Sequence, residues 1–292
     1  MTRSSIIRIG PAGWSYKDWE GIVYPSGTRT RPLEWLSTVF DTVEVNVTFY
    51  RPVAPTLSRA WCAQVSASAD FRFTVKLWQR FTHERTAWPE PEEVRAFEHA
   101  IEPLAEAGRL GGVLAQFPWS FRRTRDNRVW LARVAKTFSS YPLAVELRHA
   151  SWSRPEVLED FAALKIAFCN IDQPVFRDSV TPSAEVTSPI GYVRLHGRNA
   201  DDWFRADASR DDRYNYLYSG EELQPWIEKI RRISERAEEV YVITNNHYRG
   251  QAVVNAFELQ HSLLGTCPQI PQHLIDHYPR LARLLDRKAG QG

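Results

Sequence analysis

Several short runs of this chain place charged or amide side chains at every second position of what otherwise reads as a buried β-strand. In VELRHASW, residues 145–152, Val145 and Leu147 fall on one side and Glu146 and Arg148 on the other, because side chains alternate along a strand. DTVEVNVTFYR sets Glu44, Asn46 and Thr48 against Val43, Val45 and Val47, and FRFTVKLW sets Thr74 and Lys76 against Phe73, Val75 and Leu77. IAFCNID sets Asn170 and Asp172 against Ala167, Cys169 and Ile171, and YVRLHGR sets Arg194, His196 and Arg198 against Val193 and Leu195. An unpaired buried charge is expensive. These residues therefore need one enclosure in which they meet each other or a ligand. A closed barrel supplies it: outward side chains pack under helices, and inward ones at the strand ends line a mouth.

The rest of the chain has the matching alternation. Strand patterns at 6–10, 42–49, 71–77, 111–118, 143–148, 166–171, 190–196 and 240–245 are separated by amphipathic segments with helix-start signals, such as Pro32, the acidic start of EPEEVRAFEHAIEPLAEAG, Asp126 or Asn127, and Ser153 followed by Pro155. The segment 173–189 holds three prolines and no long apolar stripe, and predicts an irregular connection in place of a sixth helix. IPQHLIDHYPRLARLLD predicts one added C-terminal helix. The expectation is an α/β (β/α)8 TIM barrel, residues 1–292 forming a single domain.

Composition narrows the function classes. With 43% hydrophobic and 25% charged residues, the chain has ordinary globular content, and no apolar run approaches the roughly 20 residues of a membrane span. MTRSSIIRIG enters a strand pattern too early for a secretory signal, and Cys62, Cys169 and Cys267 are too scattered for a disulfide framework or a metal clip, so a reducing cytoplasm is expected. A formal charge of +2 provides no global field for nucleic acid or an anionic membrane. The one strong basic run, FRRTRDNR at 121–128, reads as a solvated loop. GPAGW lacks the glycine spacing and Lys-Ser/Thr of a phosphate loop.

The runs GWSYKDW, FDTVEVNVTFYR, AVELRHASW, YVRLHGR and TNNHYRGQAVVNA resemble, in order, the motifs of the DUF72 family, also called YecE-like proteins, over nearly the whole chain. The resemblance implies a TIM barrel similar to those of the endonuclease IV and xylose isomerase type, and it brings no established reaction. Carried onto this sequence, it marks Gly13, Trp14, Ser15, Tyr16, Glu44, Asn46, Tyr50, Lys76, Gln116, Glu146, Arg148, Trp152, Asp172, Arg194, His196, Gly197, Asn245 and Asn246. The chain departs from the family pattern at Pro11 and Ala12, where Thr-Ser is usual, and at Val47, which replaces a small polar residue.

Two chemistries compete for this set. Glu44, Glu146, Asp172 and His196 are candidate metal ligands, but Lys76, Arg148 and Arg194 would crowd the same mouth and oppose a divalent ion. His83, His149 and His247 read as loop or outward residues without ligand spacing. The favoured expectation has no metal and no cofactor. Arg148 and Arg194 hold an anion. Glu146, or else Glu44, acts as base and His196 as its partner acid, with Lys76 assisting. Trp14, Tyr50 and Trp152 stack on a sugar or base, and Asn46, Gln116, Asp172, Asn245 and Asn246 read polar groups. The expected partner is a small anionic or sugar-like ligand; whether the chain is an enzyme stays open, with a hydrolase, lyase or isomerase set beside a ligand-binding module whose charges merely pair. A nucleic-acid-binding or repair barrel ranks second, with RYNYLY at 213–218 as a candidate lid.

Overall fold

The computed structural model describes residues 5–25, 31–203, 205, 207–266 and 269–285. Eight parallel strands form one sheet: β1 (Ile6–Pro11), β2 (Thr42–Val45), β3 (Arg72–Lys76), β4 (Leu110–Gln116), β5 (Leu143–Glu146), β6 (Ala167–Asp172), β7 (Ile190–Leu195) and β8 (Glu239–Thr244). Each strand pairs with its sequence neighbour from β2 to β8, and β8 pairs with β1 from Ile6↔Glu239 to Pro11↔Thr244. The ring closes between β1 and β2 at a single parallel bridge, Ala12↔Glu44, with the Gly13 N–H donating to the Glu44 carbonyl at 2.8 Å. Lower on that seam the ladder is absent, and the Asp41 carboxylate accepts the Ile9 N–H at 2.9 Å. Burial raises this carboxyl to about 6. The two strands approach so closely that a Cβ on Gly10 would sit 1.9 Å from the Thr42 carbonyl oxygen.

The helices are α1 (Pro32–Val39), α2 (Val47–Tyr50), α3 (Pro55–Gln64), α4 (Pro91–Glu106), α5 (Arg125–Thr137), α6 (Pro155–Ala163), α7 (Ala200–Trp203), α8 (Arg210–Arg213), α9 (Gly220–Ser234), α10 (Gln251–Leu264) and α11 (Gln272–His277). Proline opens α1, α3, α4 and α6, where its missing N–H costs nothing. Glu90 with Glu93, and Ser219 with Glu222, close reciprocal caps on α4 and α9. Thr124, rather than Asp126 or Asn127, caps α5, accepting the Asn127 N–H. The predicted terminal helix is split into α11 and a 3-10 segment, Pro279–Leu284. No helix forms between β6 and β7, as the prolines of 173–189 predict. Among the described residues no helix is long and apolar enough to cross a membrane.

Two apolar zones result. Outward strand residues such as Val43, Val45, Phe73, Val75, Val145 and Val193 pack under the helices. Inward residues Ala12, Leu114, Ala144, Ala167, Cys169, Ile171, Tyr192, Tyr241 and Ile243 fill the barrel interior. Small residues make room for large ones: a Cβ on Gly111 would lie 2.3 Å from the Tyr241 hydroxyl.

This packing corrects two readings of the sequence. On β6 the inward residues are Ala167, Cys169 and Ile171, so Asn170 and Asp172 face away from the interior. Asn170 anchors the irregular connection instead, accepting Glu185 N–H at 2.7 Å and Ser183 Oγ–H at 2.8 Å and donating to the Glu185 carbonyl at 2.9 Å. Strand β2 ends at Val45 rather than at 49, because the chain turns into α2 at Val47. Thr48 therefore leaves the strand face and donates to the Lys76 carbonyl at 2.7 Å.

Candidate functional site

At the carboxyl ends of the strands, four charged side chains interlock. Arg194 on β7 donates through Nη2 to Glu44 Oε1 and through Nη1 to Glu146 Oε2, both at 2.6 Å. Arg148 Nε donates to Glu146 Oε1 at 2.7 Å, and the Tyr192 hydroxyl donates to Glu44 Oε2 at 3.0 Å. Every oxygen of the two glutamates is thereby engaged. Both glutamates are fully buried, and two guanidiniums balance their two charges, which offsets the cost of removing them from water.

His196 sits in the same network. Its Nε2 lies 3.2 Å from Glu146 Oε1, and its Nδ1 lies 3.0 Å from the Asn245 amide nitrogen. Asn245 can only donate there, so Nδ1 accepts and Nε2 carries the proton toward Glu146. Burial, together with Arg148 and Arg194, lowers this imidazole to about 3 despite the neighbouring Glu146, and it is neutral near pH 7. Burial alone would raise Glu146, but Arg194, Arg148 and His196 reverse that and hold it well below the usual carboxylate range.

Above this network opens a cavity of about 450 Å³. Its lining comes from nearly every strand end: Tyr16 after β1, Asn46, Phe49 and Tyr50 after β2, Lys76, Gln79 and His83 from β3 onward, and Gln116, Pro118 and Trp119 from β4. Arg148, Arg194, Asn245 and His247 continue the wall, and Trp203, Arg213 and Tyr214 from the segment after β7 complete it. Tyr16 donates to the Ala12 carbonyl at 2.7 Å and stacks on His247 with ring centroids 4.5 Å apart. Trp203 and Tyr214 contact each other at 5.9 Å, and each lies 6.3 Å from His196, which folds their segment over the network. Lys76 Nζ lies 3.9 Å from the Phe49 ring centroid. Burial, helped by Arg194 and Arg148 against the pull of Glu44 and Glu146, brings its ammonium down to about 7. His83 is lowered to about 3 by burial and by Lys76, Arg148 and Arg85.

The structure brings Glu44, Lys76, Glu146, Arg148, Arg194 and His196 together at one end of the barrel, with Asn46, Tyr50, Gln116 and Asn245 beside them. Glu44, Glu146 and His196 form the layer beneath the cavity and do not line it. Four residues predicted for the mouth lie elsewhere. Trp14 packs edge-on against Trp61 at 5.6 Å. Trp152 stacks on Phe121 and donates its indole N–H to the Phe121 carbonyl. Asp172 points outward to a two-point pair with Arg198, 2.8 and 3.2 Å. Asn246 is buried and donates to the Tyr216 carbonyl and Asn255 Oδ1.

The sequence missed Phe49, Gln79 and Trp203, and His83 and His247, loop residues as read and weighed there only as metal ligands, also line the cavity. Their shared signal is position, a few residues past a strand's carboxyl end. Tyr16, Arg213 and Tyr214, marked in the sequence by motif or lid pattern, also line it, as does Trp119 just past the end of β4. The basic run at 121–128 divides, its second half opening α5 rather than forming a loop: the Arg122 guanidinium lies 5.5 Å from the Trp119 ring centroid, while Arg123, Arg125 and Arg128 edge an apolar groove between α5 and α6. Among the described residues no group of three or more His, Cys, Asp and Glu side chains is placed to hold a metal ion.

Comparison with known proteins gives relatives along most of the chain. The UPF0759 protein YunF of Bacillus subtilis (strain 168) is 28% identical over 267 residues, 87% of this chain and 93% of YunF. A crystal structure of a DUF72 family protein from Thermotoga maritima MSB8 superposes with a TM-score of 0.79 at 36% identity, covering 89% of this chain and 99% of that one. One from Enterococcus faecalis V583 gives 0.75 at 26% identity, covering 90% and 99%. The model of the family described as protein of unknown function DUF72 matches residues 8–274, and the chain belongs to that family.

Proposed function

We propose that the strand-end cavity binds a small anionic ligand with a flat or polyhydroxylated body, a sugar phosphate or nucleotide-like compound, and that acid–base chemistry takes place on it. The observation that carries this is the make-up of the wall: Lys76, Arg148, Arg194 and Arg213 line the cavity, and no Asp or Glu does among the described residues. Arg194 is committed to two carboxylates. The anion therefore falls to Arg213 and to the Arg148 donors that its bond to Glu146 leaves, with Lys76 beside them as a point charge while protonated. Trp119, Trp203, Tyr214 and Tyr50 offer stacking faces, and Asn46, Gln79, Gln116 and Asn245 offer hydrogen bonds to hydroxyl or amide groups.

The proton-transfer roles differ from those the sequence favours. Glu146 is engaged at both oxygens and too weakly basic to serve as the base, and His196 holds no proton to give from Nδ1 near neutral pH. In this proposal both hold Arg148 and Arg194 in place, and Lys76 is the lining group poised to exchange a proton near pH 7.

Thermal-shift measurements with inorganic phosphate, mononucleotides, sugar phosphates, single-stranded oligonucleotides and divalent cations test the proposal. A ligand at 100 times its dissociation constant stabilises the folded chain by about 2.7 kcal/mol. The expected result is a shift with phosphate-bearing small molecules that is lost in Arg148→Ala and Arg213→Ala. Stabilisation by an oligonucleotide that no mononucleotide or sugar phosphate matches would favour the nucleic-acid reading instead.

A further inference from the structure

Lys76 ends β3 with its side chain in the cavity wall. Its ammonium makes no ion pair or hydrogen bond among the described residues, and it lies against the face of Phe49. The nearby Glu44 and Glu146 carboxylates accept from Arg194, Arg148, Tyr192 and His196, and neither lies within ion-pair distance of Nζ. A lysine kept for charge alone is normally exposed or paired. This one is half-buried, unpaired and placed beside two guanidiniums, the setting in which an amine gives up its proton readily and becomes a nucleophile.

We propose that Lys76 is a carbonyl-condensing nucleophile, its Nζ forming an imine with the aldehyde or ketone carbon of a small anionic substrate seated in the cavity. This rests on the anion-binding proposal for the same cavity and adds a bond-forming step. Arg148 and Arg213 hold the anionic end, leaving the carbonyl to face Nζ. The neutral amine attacks the carbonyl carbon, so the N–C bond forms while the C=O π pair moves to oxygen. One proton passes from nitrogen to that oxygen, giving a carbinolamine. Next the C–O bond breaks, and the hydroxyl leaves as water with the second proton of nitrogen, whose lone pair closes the C=N bond. Nothing is oxidised or reduced, and no co-reactant is consumed. The imine then withdraws electrons from the adjacent carbon, weakening a C–H or C–C bond there.

The test is reductive trapping. The full chain at pH 7 is incubated separately with dihydroxyacetone phosphate, glyceraldehyde 3-phosphate and pyruvate, then treated with borohydride and analysed by intact mass and peptide mapping. The expected result is one reduced adduct on the peptide carrying Lys76, exceeding that at any other lysine by at least about tenfold, since an ordinary lysine is almost wholly protonated at pH 7. Lys76→Arg and Lys76→Met lose that adduct. Absence of an adduct at Lys76 with all three probes, or labelling spread evenly over the lysines, overturns the inference. The thermal shift with inorganic phosphate, run on the same samples, separates the two failures. If the shift persists without trapping, the nucleophile assignment alone fails; if both are absent, the anion site fails with it.

Discussion

Arg194 Nη2 stands 2.6 Å from Glu44 Oε1, joining β7 to β2 across the barrel although the residues are 150 positions apart. Neither side chain is appreciably exposed, so removing one strands a charge that water cannot reach. Arg194→Ala is expected to destabilise the fold by about 3–5 kcal/mol. Arg95→Ala, which breaks an exposed pair with Glu92, is expected to cost under about 1 kcal/mol. Urea unfolding curves of the two variants check the contrast, and equal midpoints would contradict it.

The buried neutral His196 makes stability depend on pH. Its folded value of about 3 lies below the ordinary 6.5, so between those limits the unfolded chain binds the extra proton. Stability is fully present above pH 6.5 and falls as the pH drops toward 3, at up to about 1.4 kcal/mol per pH unit from this residue. His83, lowered in the same direction, adds to the slope. Unfolding free energies of His196→Gln between pH 4 and 7 should show a shallower acid limb than the parent.

The close approach of β1 to β2 below the closing bridge depends on Gly10. A methyl group there would meet the Thr42 carbonyl oxygen, and backbone cannot rotate aside as a flexible side chain can. Gly10→Ala is expected to cost at least about 1–3 kcal/mol. Its thermal midpoint, compared with that of Gly108→Ala, where no atom lies within 4 Å of the added carbon, reports the penalty, although Gly108 carries its own cost at φ +63. The seam penalty predicts the larger loss at Gly10.

Lys76 has the mark of a residue that works against stability. Lys76→Met keeps the length of the side chain, removes a poorly paired charge and leaves the glutamate–arginine network intact. The ligand-free variant is expected to gain about 0.5–2 kcal/mol at pH 6 while losing the thermal shift with sugar phosphates. Calorimetry with and without ligand measures both. A variant that loses stability and keeps the shift would place Lys76 outside the site.

Alternation in the sequence showed which residues share a face and was silent about which face looks inward. For β5 and β7 the two questions coincide, since Glu146 and Arg194 are too costly to bury except against each other. On β6 they diverge: Cys169 and Ile171 fit the interior, while Asn170 and Asp172 find partners outside, in the connection at 183–185 and in Arg198. Strand period also could not see the turn into α2, because VTFY suits either geometry until Thr48 meets the Lys76 carbonyl. That His83 and His247 share one wall was not legible, because residues from different loops converge only once the ring is closed. The aromatic residues divided on the same ground. Trp14 and Trp152 are spent on packing, whereas Trp119 and Trp203 reach the wall.

The filled interior closes the cavity toward the far end of the barrel. Below the charged layer, Tyr192, Tyr241, Leu114 and Cys169 plug the barrel, so a molecule that enters at the strand ends has no passage through to the opposite end. Whatever the proposed site held would have to leave on the loop side from which it came, where Trp203 and Tyr214 stand in the wall.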